Sequence, residues 1–350
     1  MKLTRISDVH AILAEWDIRP QKSLGQNFLI DANILEIMLD TAEIKVKDEV
    51  LEIGTGLGVL TEPLARVARR VVTVEKDPRL WPLLKERLKA FPNVELICGD
   101  MMKVDHTALF RSGINKVVAN LPYSVGSAIL VNLVQAETPP AQLTVTLQQE
   151  VAARLTAKPG HKDFGLLTLW TQLRYDVTIR KTVSPTCFYP APGVGSTILN
   201  LVRQERPANN CSVDNCLDRH FFYALTKFAF AHRRKQLKTI LCNANIVAHS
   251  AIHPPSPERF PLRNLPTPTE AGFAKAGATS AGQDEGQADL PIKTHLTTEN
   301  ALKAFQELEI DPRTRPEDLS VEMWRRLAKA LKQTEDCRLK AVGTESTSLP

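Results

Sequence analysis

The chain has 350 residues, 43% hydrophobic and 24% charged, an ordinary globular composition long enough for one large domain and a smaller one. A net charge of +5 at a sequence pI near 8.8 admits an acidic partner such as nucleic acid without demanding one. Six cysteines stand at 98, 187, 211, 216, 242 and 337 without a Cys-x-x-Cys pair or histidines at zinc spacing, so reduced thiols, no metal site and a cytoplasmic protein are expected. No apolar run approaches membrane-spanning length, and MKLTRISDVHAILAEWDI carries early acids and no long apolar core ending in small residues, so no signal or transit peptide is expected.

In chain order, Val9, Ile12, Leu13 and Trp16 fall on one face of a short amphipathic helix. In PQKSLGQNFLID the polar Gly25, Gln26 and Asn27 interrupt the pattern before Asp31, which is placed to cap a helix through Ile34, Ile37 and Met38. From residue 50 the β-rich runs VLEI, VVTV, VELI, KVVA and LTVTL alternate with helical stretches. That rhythm predicts an α/β fold with a parallel sheet covered by helices on both faces, and a ligand crevice beyond the carboxyl ends of its strands.

The first of these strands runs into Glu52-Ile-Gly54-Thr-Gly56-Leu-Gly58, with a helix predicted from about Leu60. Val59 stands where the dinucleotide fingerprint wants its third glycine, which disfavours a nicotinamide or flavin site. An acid just ahead of the glycines repels a diphosphate, whereas Glu52 would help to balance a cationic ligand. Glu75 closes the second strand at the distance where an acid accepts ribose hydroxyls, and Asp100 follows the third, suited to an adenine amine. Each carboxylate alone is more often a solvated or capping group. Three at successive strand ends beside a glycine loop indicate a nucleoside, and S-adenosylmethionine fits best because it joins adenosine to a cationic sulfonium without phosphate.

The fourth strand ends in Asn120-Leu121-Pro122-Tyr123. Asn and Pro after a strand also make an ordinary turn. Here the Asn120 carboxamide, with the carbonyl of Leu121 or Pro122, offers two acceptors for an aromatic amine, and Tyr123 offers a stacking face for the base. From Arg219 to Pro257 there is no acid, while Arg219, Lys227, Arg233, Arg234, Lys235 and Lys238 interleave with Phe221, Phe222, Phe228 and Phe230. A helix packed on one side and cationic on the other would neutralise RNA phosphates. Residues 246 to about 296 are rich in Pro, Gly, Ala and Ser and are expected to form a flexible insertion. Helices then return through Leu302, Phe305 and Leu308, and through Val321, Trp324, Leu327 and Leu331 with Ser320 as cap. A polar, unstructured tail is expected from about Glu335.

Taken together, LGQNFLID, LEIGTGLGVLT, VEKD, GDMMKVD, NLPY, LQQEVAARLTAKPGHKDFGLLTL, VSPTCFYPAPGVGSTIL and FAFAHRRKQLK resemble, in order and spacing, the bacterial small-subunit ribosomal RNA adenine dimethyltransferases, the kasugamycin-sensitivity methyltransferase family. The resemblance covers about residues 15 to 240 and resumes near DPRTRPEDLSVEMWRRLA. It implies a class I methyltransferase domain over 1–205, Rossmann-like with a mostly parallel seven-stranded sheet. A small helical RNA-binding domain would span 206–340, interrupted at about 246–296, with a tail over 341–350. It implies that Asn27, Leu29, Gly54, Glu75, Asp100 and Asn120 contact S-adenosylmethionine, that Asn120 to Tyr123 bind the target adenine, and that Phe188 closes over the other face of that base. It further implies two adjacent adenosines in a 3′-terminal hairpin loop as target, the immature 30S subunit as partner, and a monomer. Ser124, Ala128, Gly193 and Gly195 depart from the family pattern, which has Asn, Pro, Lys and Asp there. The rival readings are the antibiotic-resistance enzyme that dimethylates large-subunit RNA and a non-catalytic assembly factor.

Overall fold

The computed structural model describes residues 2–204, 218–242, 244–248 and 292–344. Nine strands lie in the first stretch: β1 (Phe28–Leu29), β2 (Glu49–Ile53), β3 (Arg70–Glu75), β4 (Val94–Cys98), β5 (Lys116–Asn120), β6 (Gln142–Gln148), β7 (Tyr175–Val183), β8 (Phe188–Tyr189) and β9 (Ser196–Arg203). Seven form one sheet in the order β4-β3-β2-β5-β6-β9-β7, parallel through β6 and antiparallel at β9 and β7. The five predicted runs are β2 to β6, and the expected α/β class holds. β2 is buried along its whole length, as a strand covered on both faces must be, which is why it reads as a nearly continuous apolar run.

The chain leaves β2 outward to β3 and β4, then returns to lay β5 against the other side of β2. That reversal is the switch point of an open α/β sheet, where helices diverge and leave a crevice at the strand ends. It places the turns after β2 and β5 side by side: a Cβ added at Gly54 would lie 3.6 Å from the Asn120 carbonyl oxygen.

Helix Ala32–Ala42 starts as expected, with Asp31 accepting from the Ile34 N–H at 3.0 Å. A separate core gathers Phe221, Phe222, Leu225, Phe305, Trp324, Leu327 and Leu331 around Phe164 and Leu169, so helices Arg219–Ala231, Thr298–Glu307 and Val321–Thr344 share it with helix Leu166–Gln172. Ser320 caps the last helix through the Met323 N–H.

Three details differ from expectation. Leu302 is on the outside of its helix, and Ala301, Ala304 and Phe305 make the buried stripe, because small residues permit close approach where a leucine was expected. The proposed insertion is bracketed by an antiparallel pair, β10 (Ala244–Ala248) and β11 (Ile292–Leu296), with Ala244, Ile246, Thr294 and Leu296 buried in strict alternation. Residues 249–291 lie outside the described residues, as does the 205/206 boundary. The last helix continues to Thr344, beyond Glu335 where a tail was expected; residues 345–350 lie outside the described residues.

Gly126 opens helix Gly126–Gln135 directly behind the Asn120–Tyr123 turn. A Cβ there would sit 2.9 Å from Leu147 Cδ2 and 3.3 Å from Leu121 Cβ, both buried. Alanine gains up to about 1 kcal/mol in helix propensity, but overpacking a closed core costs about 1–3 kcal/mol. Gly126→Ala is therefore expected to lower stability by about 1 kcal/mol, read from the denaturant midpoint.

Candidate active site

A cleft of about 210 Å³ opens at the switch point, lined from one side by Gly25–Leu29, from below by the turns after β2 and β3, and from the other side by Gly99–Met101 and Asn120–Val125. Asn27, Leu29, Gly54, Glu75, Asp100 and Asn120, scattered over 94 positions of sequence, all line it. Gly54, Gly56 and Gly58 adopt positive φ of 78°, 58° and 89°, a path that side chains other than glycine rarely follow, so the turn presents bare backbone to the cleft.

The three carboxylates at strand ends have different states. Glu75 is held by backbone N–H groups on both oxygens, Gly56 at 2.8 Å and Asp77 at 2.8 Å; burial nevertheless moves its carboxyl above the usual range. For Asp100, burial is outweighed by the Lys76 ammonium at 2.8 Å and the Met102 N–H at 2.9 Å, which hold it below the usual range. Glu52 is fully enclosed, and burial pushes its carboxyl up to about 8 against the opposing effect of the Thr61 and Thr73 hydroxyls, which donate to Oε2 at 2.6 and 2.7 Å. Because Thr73 gives its only hydrogen to Glu52, Thr55 must donate to Thr73 across 2.6 Å. Two donors saturate Oε2, so the proton belongs on the other oxygen, Oε1, which has no partner. With no cation beside it, burial holds the Glu52 carboxyl toward its neutral form.

At the acceptor end, Asn120 Nδ2 donates to the Asn27 carbonyl at 3.0 Å, while its Oδ1 is buried and has no partner. The Pro122 carbonyl is already taken by the N–H groups of Val125 and Gly126 at 3.2 and 2.8 Å, leaving Leu121 as the backbone acceptor beside Asn120. The Tyr123 hydroxyl bonds Ser196 Oγ at the start of β9, and burial raises its pKa. Gly25 packs closely on the acceptor turn: a Cβ there would lie 3.1 Å from both Ser124 Oγ and the Tyr123 nitrogen, so the two turns nearly touch.

Phe188 does not line the cleft. β8 pairs antiparallel with β1, setting Leu29 opposite Phe188, and the Phe188 ring is 3% exposed among Leu29, Ile34, Met38 and Val183. Its centroid is 6.5 Å from that of Tyr123 with the planes 76° apart, so the expected pair of facing planes is absent and Phe188 instead supports Tyr123 edge-on. Among the basic residues, Lys227, Arg234, Lys235 and Lys238 are exposed, whereas Arg233 bonds Glu317 at 2.7 Å and the Lys162 carbonyl at 2.9 Å, and Arg219 reaches the Glu137 carbonyl. Sequence reasoning missed Thr55, Lys76, Asp77 and Ser196; only the Asp in Glu75-Lys-Asp77 carried a local hint, as another acid near a strand end.

The parallel sheet, glycine turn, nucleoside-type acids and acceptor pair together define a class I S-adenosylmethionine-dependent methyltransferase. Residues 18–252 match the family described as ribosomal RNA adenine dimethylase, and the chain belongs to that family. It is therefore a ribosomal RNA adenine dimethyltransferase that uses S-adenosylmethionine. Among its relatives, a Streptococcus equi subsp. zooepidemicus protein named ribosomal RNA small subunit methyltransferase A is 35% identical over 338 residues, covering 95% of this chain and 99% of that one. A protein of the same name from Streptococcus gordonii is 41% identical over 242 residues, 68% of this chain and 82% of its own. The fold is similar to a crystallised dimethyladenosine transferase from Plasmodium falciparum, at TM-score 0.64 and 21% identity over 88% of this chain and 98% of that one. It is also similar to the 23S rRNA methyltransferase ErmE, at TM-score 0.54 and 23% identity over 88% of this chain and all of that one. Among the described residues no helix is long and apolar enough to cross a membrane, and no acid, histidine and cysteine cluster is arranged for a metal.

The state of Glu52 has a measurable consequence. A folded-state pKa of about 8, against an ordinary 4.5, means that the native chain binds this proton more tightly than the unfolded chain. The associated stability is complete below pH 4.5 and declines as pH rises to about 8. Glu52→Gln is expected to flatten that decline, so thermal unfolding midpoints recorded from about pH 5 to about pH 8 should fall less in the variant than in the parent.

Proposed function

We propose that the protein dimethylates the exocyclic N6 amines of two adjacent adenosines in a 3′-terminal hairpin loop of 16S ribosomal RNA, late in assembly, as a cytoplasmic monomer acting on the immature 30S subunit. The observation that carries the reading is the buried, unpartnered Asn120 Oδ1 in the cleft, its amide nitrogen already committed to Asn27. A buried acceptor without a donor costs about 1–3 kcal/mol, and an aromatic amine is the donor that would relieve it. The near-full-length relatives that bear the small-subunit name support the choice of subunit.

In this reading residues 1–205 form the methyltransferase domain and 206–340 the RNA-binding domain, with Phe164, Leu169 and Leu173 of the first packed into the core of the second. Glu75 accepts the ribose hydroxyls, Asp100 accepts from the cofactor's adenine amine, and Asn27, Leu29 and Gly54 line the remainder of the donor site. Bound S-adenosylmethionine supplies a methyl group on a sulfonium.

Asn120 Oδ1 and the Leu121 carbonyl take the two hydrogens of the target amine. Their pull localises on nitrogen the lone pair otherwise shared with the ring, and aims it at the donor. Tyr123, fixed by Ser196 and Phe188, stacks on the flipped base. The methylated amine is acidic enough to lose its proton to solvent, so no strong base is required. The exposed Lys227, Arg234, Lys235 and Lys238 contact RNA phosphates, with Arg219 and Arg233 at the edge of the same face.

With tritiated donor, purified immature small subunits should incorporate label at the two adenosines, mapped by mass spectrometry; label entering only large subunits would overturn the assignment. Asn120→Ala is expected to reduce transfer by about 10²-fold or more while RNA affinity changes by less than about twofold. An equal loss of RNA affinity would make the turn structural instead.

A further inference from the structure

The segment Gly25–Leu29 that lines the cleft is paired through β1 with β8 and is fastened at two further points by side chains. One is Asn120, through the Asn27 carbonyl. The other is Asp77, only 1% exposed, whose Oδ2 accepts from Gln26 Nε2 at 2.7 Å. Asp77 Oδ1 accepts from Arg79 Nε at 2.9 Å, and Arg79 reaches back along the same N-terminal segment to donate to the Arg19 carbonyl at 2.9 Å. Gln26 is oriented in turn by the Gln21 N–H, which donates to its Oε1 at 2.8 Å. The backbone N–H of Asp77 meanwhile donates to Glu75 Oε1, so one residue joins the segment to the carboxylate read as the ribose acceptor.

A buried carboxylate is costly unless it is fully bonded, and this one accepts from the Arg79 backbone N–H at 3.1 Å, from the Arg79 guanidinium and from Gln26. Gln26 is its one bond to Gly25–Leu29, while Arg79 ties it to the Arg19 carbonyl that precedes that segment. Two successive transfers to one amine consume two donors. Each forms an N–C bond, breaks an S–C bond and leaves S-adenosylhomocysteine, which must be exchanged before the next.

We propose that Asp77, acting through Gln26 and Arg79, is a positioning residue that latches this strap over the donor cleft, and that opening of the latch paces the exchange of spent for fresh donor. The inference rests on the donor-site reading given above. Release of tritiated S-adenosylhomocysteine from the full chain should be about tenfold faster in Asp77→Asn and in Gln26→Ala, with the KM for S-adenosylmethionine rising in step and the single-turnover rate from preloaded donor falling by less than about threefold. Gln26→Ala leaves the Asp77–Arg79 pair in place, so it decides the matter if Asp77→Asn fails to fold. Unchanged release in Gln26→Ala, or a single-turnover rate that falls as much as release speeds up, overturns the latch. Glu75→Ala serves as the separate check: full donor binding in that variant would refute the donor site itself, whatever the latch does.

Discussion

The hydrogen bond from Asn120 Nδ2 to the Asn27 carbonyl is the constraint on which the site depends. A carboxamide has two ends, and committing the nitrogen to one backbone oxygen determines where the oxygen points. That commitment requires Asn27 to lie over the end of β5, although 92 residues separate the two in the chain. The requirement is met because β1 pairs with β8 and Gln26, two residues ahead of β1, is held by Asp77. Donor cleft and acceptor turn are thereby parts of one hydrogen-bonded unit.

The electrostatics of the cleft follow from the same geometry. Glu52 lies within β2, Glu75 ends β3 and Asp100 follows β4, and only the latter two are met by N–H donors or an ammonium. Glu52 is met by neutral hydroxyls alone, and burial pushes its carboxyl up to about 8. Depth and donor type, rather than residue type, set the three carboxylates apart.

Much of this was legible in the chain. The five parallel strands were read from apolar runs because a doubly covered strand has to be apolar throughout, and the unusual residues then fell at strand ends by simple adjacency. The antiparallel β7 and β9 were not read: β7 is an edge strand with mostly exposed side chains, so it lacks the apolar run. Leu302 was misplaced since helical spacing alone does not distinguish a stripe of alanines and phenylalanine from its leucine neighbour. The stem β10–β11 was hidden by the long low-periodicity segment between its strands, since five-residue alternation is a weak signal by itself.

What the amino-acid order determined on its own was the local chemistry: the glycine turn, acids at the first three strands, an amide and an aromatic ring at the end of β5, and a family resemblance spread over most of the chain. These are contiguous features, carried by near neighbours and therefore present before folding. The tertiary structure alone decided that Phe188 supports Tyr123 instead of facing it, that burial raises the Glu52 carboxyl, that Leu121 rather than Pro122 is the available carbonyl, and that Asp77 holds Gln26. Each of these depends on which distant groups are brought within hydrogen-bonding or van der Waals range, and on how much water is excluded there, and neither quantity exists until the sheet and its crossings have formed.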